Sequence, residues 1–383
     1  MGLLTEHLPD FPWDTLADVT ARARAHPGGI VDLSVGTPVD PTPQVVRDAL
    51  VAAADSPGYP QTAGTPELRH AVVRWFARRR HVPDLDPAGV LPTLGSKELV
   101  ALLPSLLGLR AGDVVLHPEV AYPTYDVGAR LAGAAPEPCA DPAARLAADE
   151  DGVVRLVWLN SPGNPDGSVL SGDELRAVVE AARAAQARHG RQVVVASDEC
   201  YAELAWDEPW ASQGVPSLLD PRVTGGDDAG LLVAYSLSKQ SNLAGYRAAF
   251  VAGDPALVGR LLEVRKHAGF MVPAPVQAAM VAALADDEQV AAQRARYARR
   301  RRMLAAAFAE AGYVVDGSQA GLYLWVRPVG GQDARATVED LAGLGILVAP
   351  GAFYGSAGKG HVRVALTASD ERVVEACTRL TGA

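Results

Sequence analysis

The sequence predicts an α/β protein with a mostly parallel sheet in a large domain and a second, smaller α+β domain. Short and almost continuously apolar runs, typical of strands buried on both faces, alternate with segments that begin at helix-capping residues. This alternation ends near residue 272, where a long Arg/Ala-rich segment begins. A chain of 383 residues that is 49% hydrophobic is also long enough for two domains.

Capping patterns indicate where the helices begin. Thr-Pro pairs at 42–43 and 65–66 each place a hydroxyl ahead of a proline at the first helical position, which predicts helices over QVVRDALVAAA and LRHAVVRWFARR. The segment 171–174 has the pattern of a capping box, and Gly190 is suited to close the helix that this box opens.

Four apolar runs predict strands of the large sheet: DVVLHP, VVRLVWLN, RQVVVAS and LLVAYS. Open sheets of parallel strands bind ligands at the carboxyl ends of their strands. Asn160 ends the second run, Asp198 follows the third, and residues 236–239 follow the fourth. We therefore expect these polar side chains to meet at one edge of the sheet.

The remaining pattern predicts the small domain. A helix over residues 286–311 is followed by YVVD, GLYLWVRP, a helix near 337–344, GILVAP and HVRVAL. We expect the N-terminal segment to complete this domain. The predicted bounds are 43–271 for the large domain, and 1–42 with 272–383 for the small one.

Composition limits the possible partners. The net charge is 35 − 45 = −10, which argues against a nucleic-acid or anionic-membrane binder and favours small molecules. The longest apolar tract, near 99–109, is too short for a span of about 20 residues. The start, MGLLTEHLPDFPW, lacks the pattern of a signal peptide. Three widely spaced cysteines form neither a metal motif nor an even disulfide set, so we expect a cytoplasmic protein without a metal.

One lysine stands out as a nucleophile. Only four of the 35 basic residues are lysines, and Lys239 lies in SLSKQSNLAGYR. Unlike a guanidinium, an ammonium can lose its proton and attack a carbonyl to form a Schiff base. Ser236, Ser238 and Arg247 offer hydroxyls and a guanidinium nearby, as a phosphate beside an aldehyde requires. Pyridoxal phosphate has both groups.

This segment resembles the lysine signature of the class I/II aminotransferases, which are fold-type I pyridoxal-phosphate enzymes. Further matching pieces occur in the family's order over almost the whole chain: SVGTPVDP, YPQTAGTPELR, GSKE, AYPTY, NSPGNPDG, SDECY and HVRVAL. The resemblance implies a fold-type I transferase with pyridoxal 5'-phosphate as cofactor. It also implies amino-acid and 2-oxo-acid substrates.

The resemblance assigns roles around the cofactor ring. Asp198 pairs with the pyridinium nitrogen, and Tyr201 hydrogen-bonds the phenolic oxygen of the ring. Tyr122 stacks on the ring. Asn164 matches the asparagine that also donates to the phenolic oxygen, although Asn160 in the same NSPGNPDG segment is a rival, and both suit a turn.

The phosphate has a second predicted contact region. Gly95, Ser96 and Lys97 precede an apolar helical segment, so their backbone N–H groups suit an anion at a helix N-terminus. Lys97 is also an alternative Schiff-base lysine on chemistry alone, but no serine-lysine-arginine arrangement surrounds it. Tyr59 matches the residue that reaches the phosphate of the neighbouring subunit, which implies a homodimer with shared sites.

The substrate α-carboxylate is expected at Arg363, whose guanidinium matches the family's bidentate carboxylate ligand. Gly36 matches the residue whose backbone lies beside the same carboxylate, and Asn164 completes this set. The implied reaction is a two-step transamination in which Lys239 moves the Cα proton. Two alternatives are another enzyme on this fold, such as a C–S lyase, and a ligand-sensing module of a transcription regulator, which the acidic chain disfavours.

The substrate side chain is harder to predict. The text from FPWDTLADVT to GYPQTAGTPELR closely resembles the N-succinyldiaminopimelate aminotransferases of actinobacteria, which implies lysine biosynthesis with 2-oxoglutarate and glutamate as the second pair. An anionic tail requires a cation, for which Arg265, Lys266 and His267 are candidates. A general or aromatic amino-acid aminotransferase is the alternative.

Overall fold

The computed structural model describes residues 8–382, which contain a seven-stranded, a four-stranded and a two-stranded sheet. The strands are β1 (Val31–Asp32), β2 (Val90–Leu94), β3 (Val114–His117), β4 (Ala135–Pro138), β5 (Val154–Asn160), β6 (Val194–Asp198), β7 (Leu231–Ser236), β8 (Ala248–Gly253), β9 (Tyr313–Asp316), β10 (Tyr323–Pro328), β11 (Ile346–Leu347), β12 (Ala349–Pro350) and β13 (Val362–Ala365). The large sheet has the order β2-β8-β7-β6-β5-β3-β4. Only β8 runs antiparallel to its neighbours, which confirms the mostly parallel sheet.

Helices cover both faces of this sheet, and others pack in a separate core. The helices are α1 (Ala17–Arg24), α2 (Gln44–Ala52), α3 (Pro66–Arg79), α4 (Ser96–Leu106), α5 (Thr124–Leu131), α6 (Pro142–Ala147), α7 (Gly172–His189), α8 (Trp210–Gln213), α9 (Pro221–Thr224), α10 (Leu237–Gln240), α11 (Pro255–Ala268), α12 (Ala274–Ala285), α13 (Asp287–Glu310), α14 (Ala334–Gly343) and α15 (Asp370–Thr381). In β5, Val157 and Leu159 join the core that contains α7, whereas Leu156 and Trp158 face the core that contains α4. Because successive strand residues point to opposite faces, a strand covered on both sides must be apolar throughout.

Two predicted caps are present, and one is wrong. Thr65 accepts a hydrogen bond from Leu68 N at the start of α3, and a full capping box opens α7. Helix α2, however, begins after Pro43, whose own ψ of 143° is extended, and it has no side-chain cap. Thr42 Oγ1 instead donates to the carbonyl of Asn242 over 3.3 Å. A proline therefore sits at the cap position itself, and the preceding hydroxyl ties the chain to the large domain.

A smaller antiparallel sheet, β12-β13-β10-β9, follows the large one along the chain, as the sequence predicts. Strand β1 pairs with β11 in parallel, so the N-terminal segment packs with the C-terminal part. The side chains Ala279, Met280 and Leu284 of α12 belong to the core beneath the large sheet. The domain bounds at residues 42 and 271 remain a prediction.

Salt bridges connect the N-terminal segment to the C-terminal helices. Buried Arg300 on α13 binds both oxygens of Asp40, at 2.6 and 2.8 Å, and its Nε donates to Asp370 at the start of α15 over 2.7 Å. Within residues 8–382, no helix is long and apolar enough to cross a membrane. The expectation about a signal peptide falls partly on residues 1–7, which lie outside the described residues.

Candidate active site

Three adjacent strands bring the predicted polar residues to one edge of the large sheet. Asn160 at the end of β5 pairs in register with Asp198 at the end of β6, and Asp198 pairs with Ala234 of β7. The segment from Ser236 to Lys239 follows β7 directly. The strand-end prediction is confirmed for this edge.

Asp198 is a buried carboxylate that accepts two hydrogen bonds. Tyr125 Oη donates to Oδ2 over 3.0 Å, and Cys200 N donates to Oδ1 over 3.2 Å. Burial raises the pKa of Asp198, whereas the hydrogen bonds from Cys200 and Tyr125 act in the opposite direction. Such an oriented, partly compensated carboxylate is suited to pair with a cationic N–H group.

Lys239 lies on α10, directly after Ser236, whose hydroxyl caps this short helix by accepting from Ser238 N. The ammonium Nζ donates to the carbonyl of Gly36. Burial lowers the pKa of Lys239; Tyr323 opposes this shift, and the positive charge of Arg363 adds to it. A lysine whose ammonium is destabilised in this way is suited to act as a nucleophile.

An anion-binding cradle lies beside this lysine, where α4 begins. Gly95 has φ 77°, and a Cβ at this position would lie 2.1 Å from Arg247 Nη2, so only glycine lets the guanidinium approach the helix N-terminus. Gly95 N also donates to the carbonyl of Arg247 over 2.8 Å. The Ser236 and Ser238 hydroxyls are 2.8 Å apart. A guanidinium, a helix N-terminus and hydroxyls are the groups that bind phosphate, so the residues fit the phosphate of the implied cofactor.

The side chain of Lys97 points elsewhere, although its backbone N–H belongs to the first turn of α4. Its Nζ lies 5.9 Å from the ring centroid of Tyr122 and 5.7 Å from that of Phe11. No carboxylate of the described residues lies within salt-bridge distance of it. Trp13, two residues after Phe11, has its ring centroid 5.4 Å from that of Phe353. Aromatic rings with one cation thus line this side of the site.

The two asparagines of NSPGNPDG differ in how they are bound. Asn160 Nδ2 donates to the carbonyls of Pro162 and Asp198, at 3.0 and 2.9 Å, and its Oδ1 accepts from Asn164 N over 2.8 Å. Asn164 Oδ1 accepts from Arg363 Nη1 over 2.9 Å. Asn160 therefore holds the loop together. The side-chain nitrogen Nδ2 of Asn164, by contrast, has no hydrogen-bond partner among residues 8–382.

Arg363 on β13 is buried between two tyrosine rings. Its Cζ lies 3.9 Å from the ring centroid of Tyr323 and 4.8 Å from that of Tyr354. Besides the bond to Asn164, Nη2 donates to the carbonyl of Ser34 over 2.7 Å. Burial works to lower the pKa of Arg363, but the neighbouring tyrosines, Tyr323 first, hold it above its ordinary value. The guanidinium is therefore charged and fixed in orientation.

Sequence reasoning missed Tyr323. Tyr323 Oη lies 3.3 Å from Tyr201 Oη, and both side chains are buried. Tyr323 stands in GLYLWVRP, which spacing identifies only as a strand. Its role becomes visible only once the strand is known to pair with β13, because alternate side chains of the two strands then share a face with Arg363.

Other predicted residues lie apart from this cluster. Arg265 is buried and binds Glu98 through both terminal nitrogens, at 2.6 and 3.1 Å, and Lys266 pairs with Glu263 on the surface at 2.6 Å. Neither cation is free for a ligand. His267 is exposed at the end of α11. Tyr59 is 95% exposed in the single chain.

The chain is similar along its whole length to known aminotransferases. It is 55% identical over 374 residues to the 4-dedimethylamino-4-oxo-anhydrotetracycline transaminase OxyQ of Streptomyces rimosus, covering 98% of this chain and 99% of that protein. It is 57% identical over 381 residues to the probable aminotransferase Rv1178 of Mycobacterium tuberculosis, covering 99% and 87%. An LL-diaminopimelate aminotransferase of Desulforudis audaxviator is 32% identical over 98% of this chain and 96% of its own length.

A solved structure and a family model agree with these relatives. The probable N-succinyldiaminopimelate aminotransferase of Thermus thermophilus superposes with a TM-score of 0.83 at 29% identity, covering 97% of this chain and 100% of the other. The model of the family described as aminotransferase class I and II matches residues 29–380. Its fold is the fold-type I architecture, and pyridoxal phosphate is the cofactor of this enzyme class. The chain belongs to the class I and II aminotransferase family.

Proposed function

We propose that this aminotransferase transfers the amino group of N-succinyl-LL-2,6-diaminopimelate to 2-oxoglutarate, a step of lysine and diaminopimelate biosynthesis. The resemblance of the N-terminal segment supports this substrate. So does the similarity to the Thermus protein and to an LL-diaminopimelate aminotransferase. The observation that carries the choice is an uncommitted cation, Lys97, beside the expected cofactor ring.

Pyridoxal phosphate, when bound, supplies an electron-withdrawing ring that accepts the electron pair released when the Cα–H bond of the substrate breaks. Asp198 would keep a proton on the ring nitrogen, and its buried hydrogen bond from Tyr125 holds the carboxylate in place. Tyr201 and Asn164 would donate hydrogen bonds to the phenolic oxygen, and Tyr122 would stack on the ring. The phosphate would be held by Gly95, Ser96, the Lys97 backbone, Ser236, Ser238 and Arg247.

Lys239 moves the proton. The amine of Lys239 would take the Cα proton of the bound amino acid and would later return a proton on the same face. The lowered pKa of Lys239, caused chiefly by burial, increases the fraction of this amine in its basic form. The carbonyl of Gly36 accepts a hydrogen bond from Nζ and so holds the side chain when it is free.

The substrate α-carboxylate binds to Arg363. Its Nη1 and Nη2 point to Asn164 and to the carbonyl of Ser34, so the guanidinium is held at both ends before the substrate arrives. Its Nε is buried without a hydrogen-bond partner among residues 8–382. The backbone of Gly36 lies beside the same place. A preorganised guanidinium orients the amino acid so that the Cα–H bond faces Lys239.

Lys97 reads the tail of the substrate. Arg265 and Lys266 are committed to Glu98 and Glu263, so they do not supply this charge. Lys97, by contrast, lies near the rings of Phe11 and Tyr122 and has no carboxylate partner among residues 8–382. A site that pairs a distal carboxylate leaves its own cation unpaired when the substrate lacks one, and this raises discrimination.

The decisive experiment is a screen of amino donors with 2-oxoglutarate as acceptor. We expect succinyldiaminopimelate to exceed alanine, phenylalanine and free diaminopimelate by at least about 100-fold in kcat/KM, equivalent to roughly 2.7 kcal/mol. Equal rates with alanine or phenylalanine would leave only the family assignment in place.

Substitution of Lys97 tests the assigned cation directly. Lys97→Met keeps the length of the side chain and removes the charge, so we expect kcat/KM for the succinyl donor to fall about tenfold or more while that for phenylalanine changes little. Lys266→Met is the matched control, because its ammonium pairs with Glu263 on the surface. An equal effect on both donors would contradict a role in reading the tail.

A second candidate substrate is a ketone on a planar ring system, which would accept the amino group. The rings of Phe11, Trp13 and Phe353 follow one another at centroid distances of 5.6 and 5.4 Å, which offers an apolar wall. The high identity to OxyQ, a transaminase of an oxo-anhydrotetracycline, supports this candidate. In a screen of amino acceptors with glutamate as donor, a preference for aromatic ketones that Trp13→Ala abolishes would favour it.

We also propose that the active unit is a homodimer in which Tyr59 contacts the phosphate of the partner's site. Its 95% exposure in one chain supports this, as do the exposed apolar side chains Val39, Val45 and Val51. Mixing an inactive Tyr59→Ala protein with an inactive Arg363→Ala protein should restore part of the activity, since mixed dimers hold one intact site. No recovery after verified subunit exchange would argue against a shared site.

A further inference from the structure

Tyr323 occupies a position that connects both halves of the site. It lies on β10, one two-residue step from Trp325, which pairs in register with Arg363 of β13. Such diagonal neighbours on one face of an antiparallel pair reach each other through aromatic side chains. The Arg363 Cζ accordingly lies 3.9 Å from the ring centroid of Tyr323, closer than it lies to the ring of Tyr354.

The hydroxyl of Tyr323 points to the other half. It lies 3.3 Å from Tyr201 Oη. A Cβ on Gly36 would lie 2.2 Å from the same hydroxyl, so the absence of a side chain at residue 36 creates the space for it. The carbonyl of Gly36 in turn accepts the hydrogen bond from Lys239. The hydroxyl of Tyr323 thus lies beside Gly36, the residue that binds Lys239, and the ring of Tyr323 packs against Arg363.

The charges around Tyr323 explain why a tyrosine is favourable here. Burial favours its neutral form, yet the pKa of Tyr323 is lowered because Arg363 and Lys239 face it and its hydroxyl shares a hydrogen bond with that of Tyr201. The pKa of Tyr201, by contrast, is raised well above its ordinary value by burial. Tyr354, from the turn after β12, and Tyr297 of α13 are further titratable neighbours of Tyr323. Arg363 and Lys239 thus both act on the Tyr323 oxygen, and Tyr323 in turn opposes the loss of the Lys239 proton.

We propose that Tyr323 is a positioning residue with two separable actions in transamination: its ring fixes the plane in which Arg363 meets the substrate carboxylate, and its hydroxyl stabilises the protonated form of Lys239 whenever that amine is free of the cofactor. This inference rests on the proposed roles of Arg363 and Lys239. When a carboxylate binds Arg363, part of the compensation that Tyr323 provides becomes available to the lysine. Carboxylate binding and the proton on Lys239 are coupled in this way through one side chain.

The ring action is tested by carboxylate binding, without turnover. We expect Tyr323→Leu to raise the Kd of glutarate, a dicarboxylate without an amino or keto group, by about 10- to 30-fold in calorimetry on the cofactor-loaded protein, because a desolvated cation–π contact is lost. Tyr323→Phe keeps the ring and should change this Kd by no more than about twofold. Tyr313→Phe on β9 is a control for removing a hydroxyl elsewhere in the small sheet.

The hydroxyl action is tested on the lysine. The rate at which an amine-reactive reagent modifies Lys239 in the cofactor-free chain rises with pH as the amine deprotonates. We expect Tyr323→Phe to move the midpoint of this rise to lower pH, since Tyr323 favours the ammonium form. Arg363→Met should move it to higher pH, because the guanidinium disfavours that form. A merely structural role of Tyr323 predicts no such opposed shifts.

The outcomes distinguish the inference from the proposed function. If Arg363→Ala abolishes glutarate binding but Tyr323→Leu leaves it unchanged, the ring action is overturned and the carboxylate site stands. If neither variant affects glutarate, the carboxylate site itself is wrong. An unchanged midpoint for Tyr323→Phe, in a protein with native circular dichroism and normal cofactor uptake, overturns the hydroxyl action. Should Tyr323→Leu fail to fold, Tyr323→Met replaces it in the same assay.

Discussion

The two ends of the site are assembled in different ways. At the cofactor end, Asp198, Lys239 and Arg247 lie at the ends of three adjacent strands of one sheet. These three residues fall within fifty residues of chain. In the substrate end, formed by Gly36, Asn164, Tyr323 and Arg363, the guanidinium bonds residues 199 and 329 positions away. The cofactor end depends on one sheet, whereas the substrate end forms only when the N-terminal segment and the small sheet pack against it. Substrate binding is therefore the function most sensitive to packing between these parts.

The largest expected effect is at the cofactor end. Lys239→Ala should lower transaminase turnover more than about a thousandfold, because both the nucleophile and the proton carrier are lost. Borohydride reduction followed by mass spectrometry should then find no cofactor attached to residue 239. Lys359→Ala, an exposed lysine, is the control, and Lys97→Ala should still attach the cofactor at Lys239. Attachment at Lys97 in the wild-type protein would reverse the two assignments.

The next effect divides the two ends. Arg363→Ala should lose about 2–5 kcal/mol in kcat/KM, the usual scale for breaking a buried charge pair, with the cofactor still bound. Arg247→Ala should weaken retention of the cofactor about tenfold, because a phosphate ligand is removed. Dialysis followed by cofactor absorbance measures retention. Arg327→Ala, a surface arginine of the small sheet, should change neither quantity.

If Arg363→Ala and Arg247→Ala lost the cofactor to the same extent, the division into two ends would be wrong. The substrate carboxylate and the phosphate would then share one electrostatic field rather than two separate ligands.

How far the sequence predicts each end follows from this difference. Lys239, Asp198 and the phosphate residues follow strands or begin helices, so local pattern and known strand chemistry locate them. The sequence equally predicts that β6 and β7 end side by side. Tyr323 and the bond between Asn164 and Arg363 require knowledge of which distant strands pair, and spacing carries no such information. The pairing of Arg265 with Glu98 is not predictable from spacing either, because Glu98 lies on another helix.

A smaller effect separates the two asparagines. Asn160→Ala should lower the free energy of unfolding by about 2–4 kcal/mol, because it removes the partners of buried backbone groups at Pro162, Asp198 and Asn164. Asn164→Ala should cost less stability but weaken glutarate binding, since it releases one arm of Arg363. Chemical denaturation and calorimetry measure the two quantities. The reverse pattern would make Asn160 the ligand.

The smallest expected effect is on the stability of the cofactor-free protein, and its sign differs between the ends. Folding lowers the pKa of Lys239 below its ordinary 10.5, chiefly by burial, so the folded chain holds fewer protons than the unfolded chain between these two values. Lys239→Met should therefore raise the free energy of unfolding at neutral pH by about 0.5–2 kcal/mol, the common gain when an active-site constraint is removed. This gain should shrink as pH rises toward 10.5, where the wild-type lysine is neutral in both states.

Asp198→Asn should also stabilise the cofactor-free protein at neutral pH, with the opposite pH dependence. Burial raises the pKa of Asp198 above 3.8, so the cost of the charge accumulates as pH rises from 3.8 to the folded value and is complete above it, and the gain should vanish below 3.8. At the substrate end, the pKa of Arg363 is raised despite burial, so the folded state favours the charge. Arg363→Met should accordingly destabilise the protein throughout the accessible pH range, in which an arginine is charged in both the folded and the unfolded state. Thermal unfolding of the three variants across pH 4 to about 10 tests these signs. If Arg363→Met instead raised the free energy of unfolding, the charge at the substrate end would also be unfavourable for folding. The tyrosines around Arg363 would then not compensate for its burial.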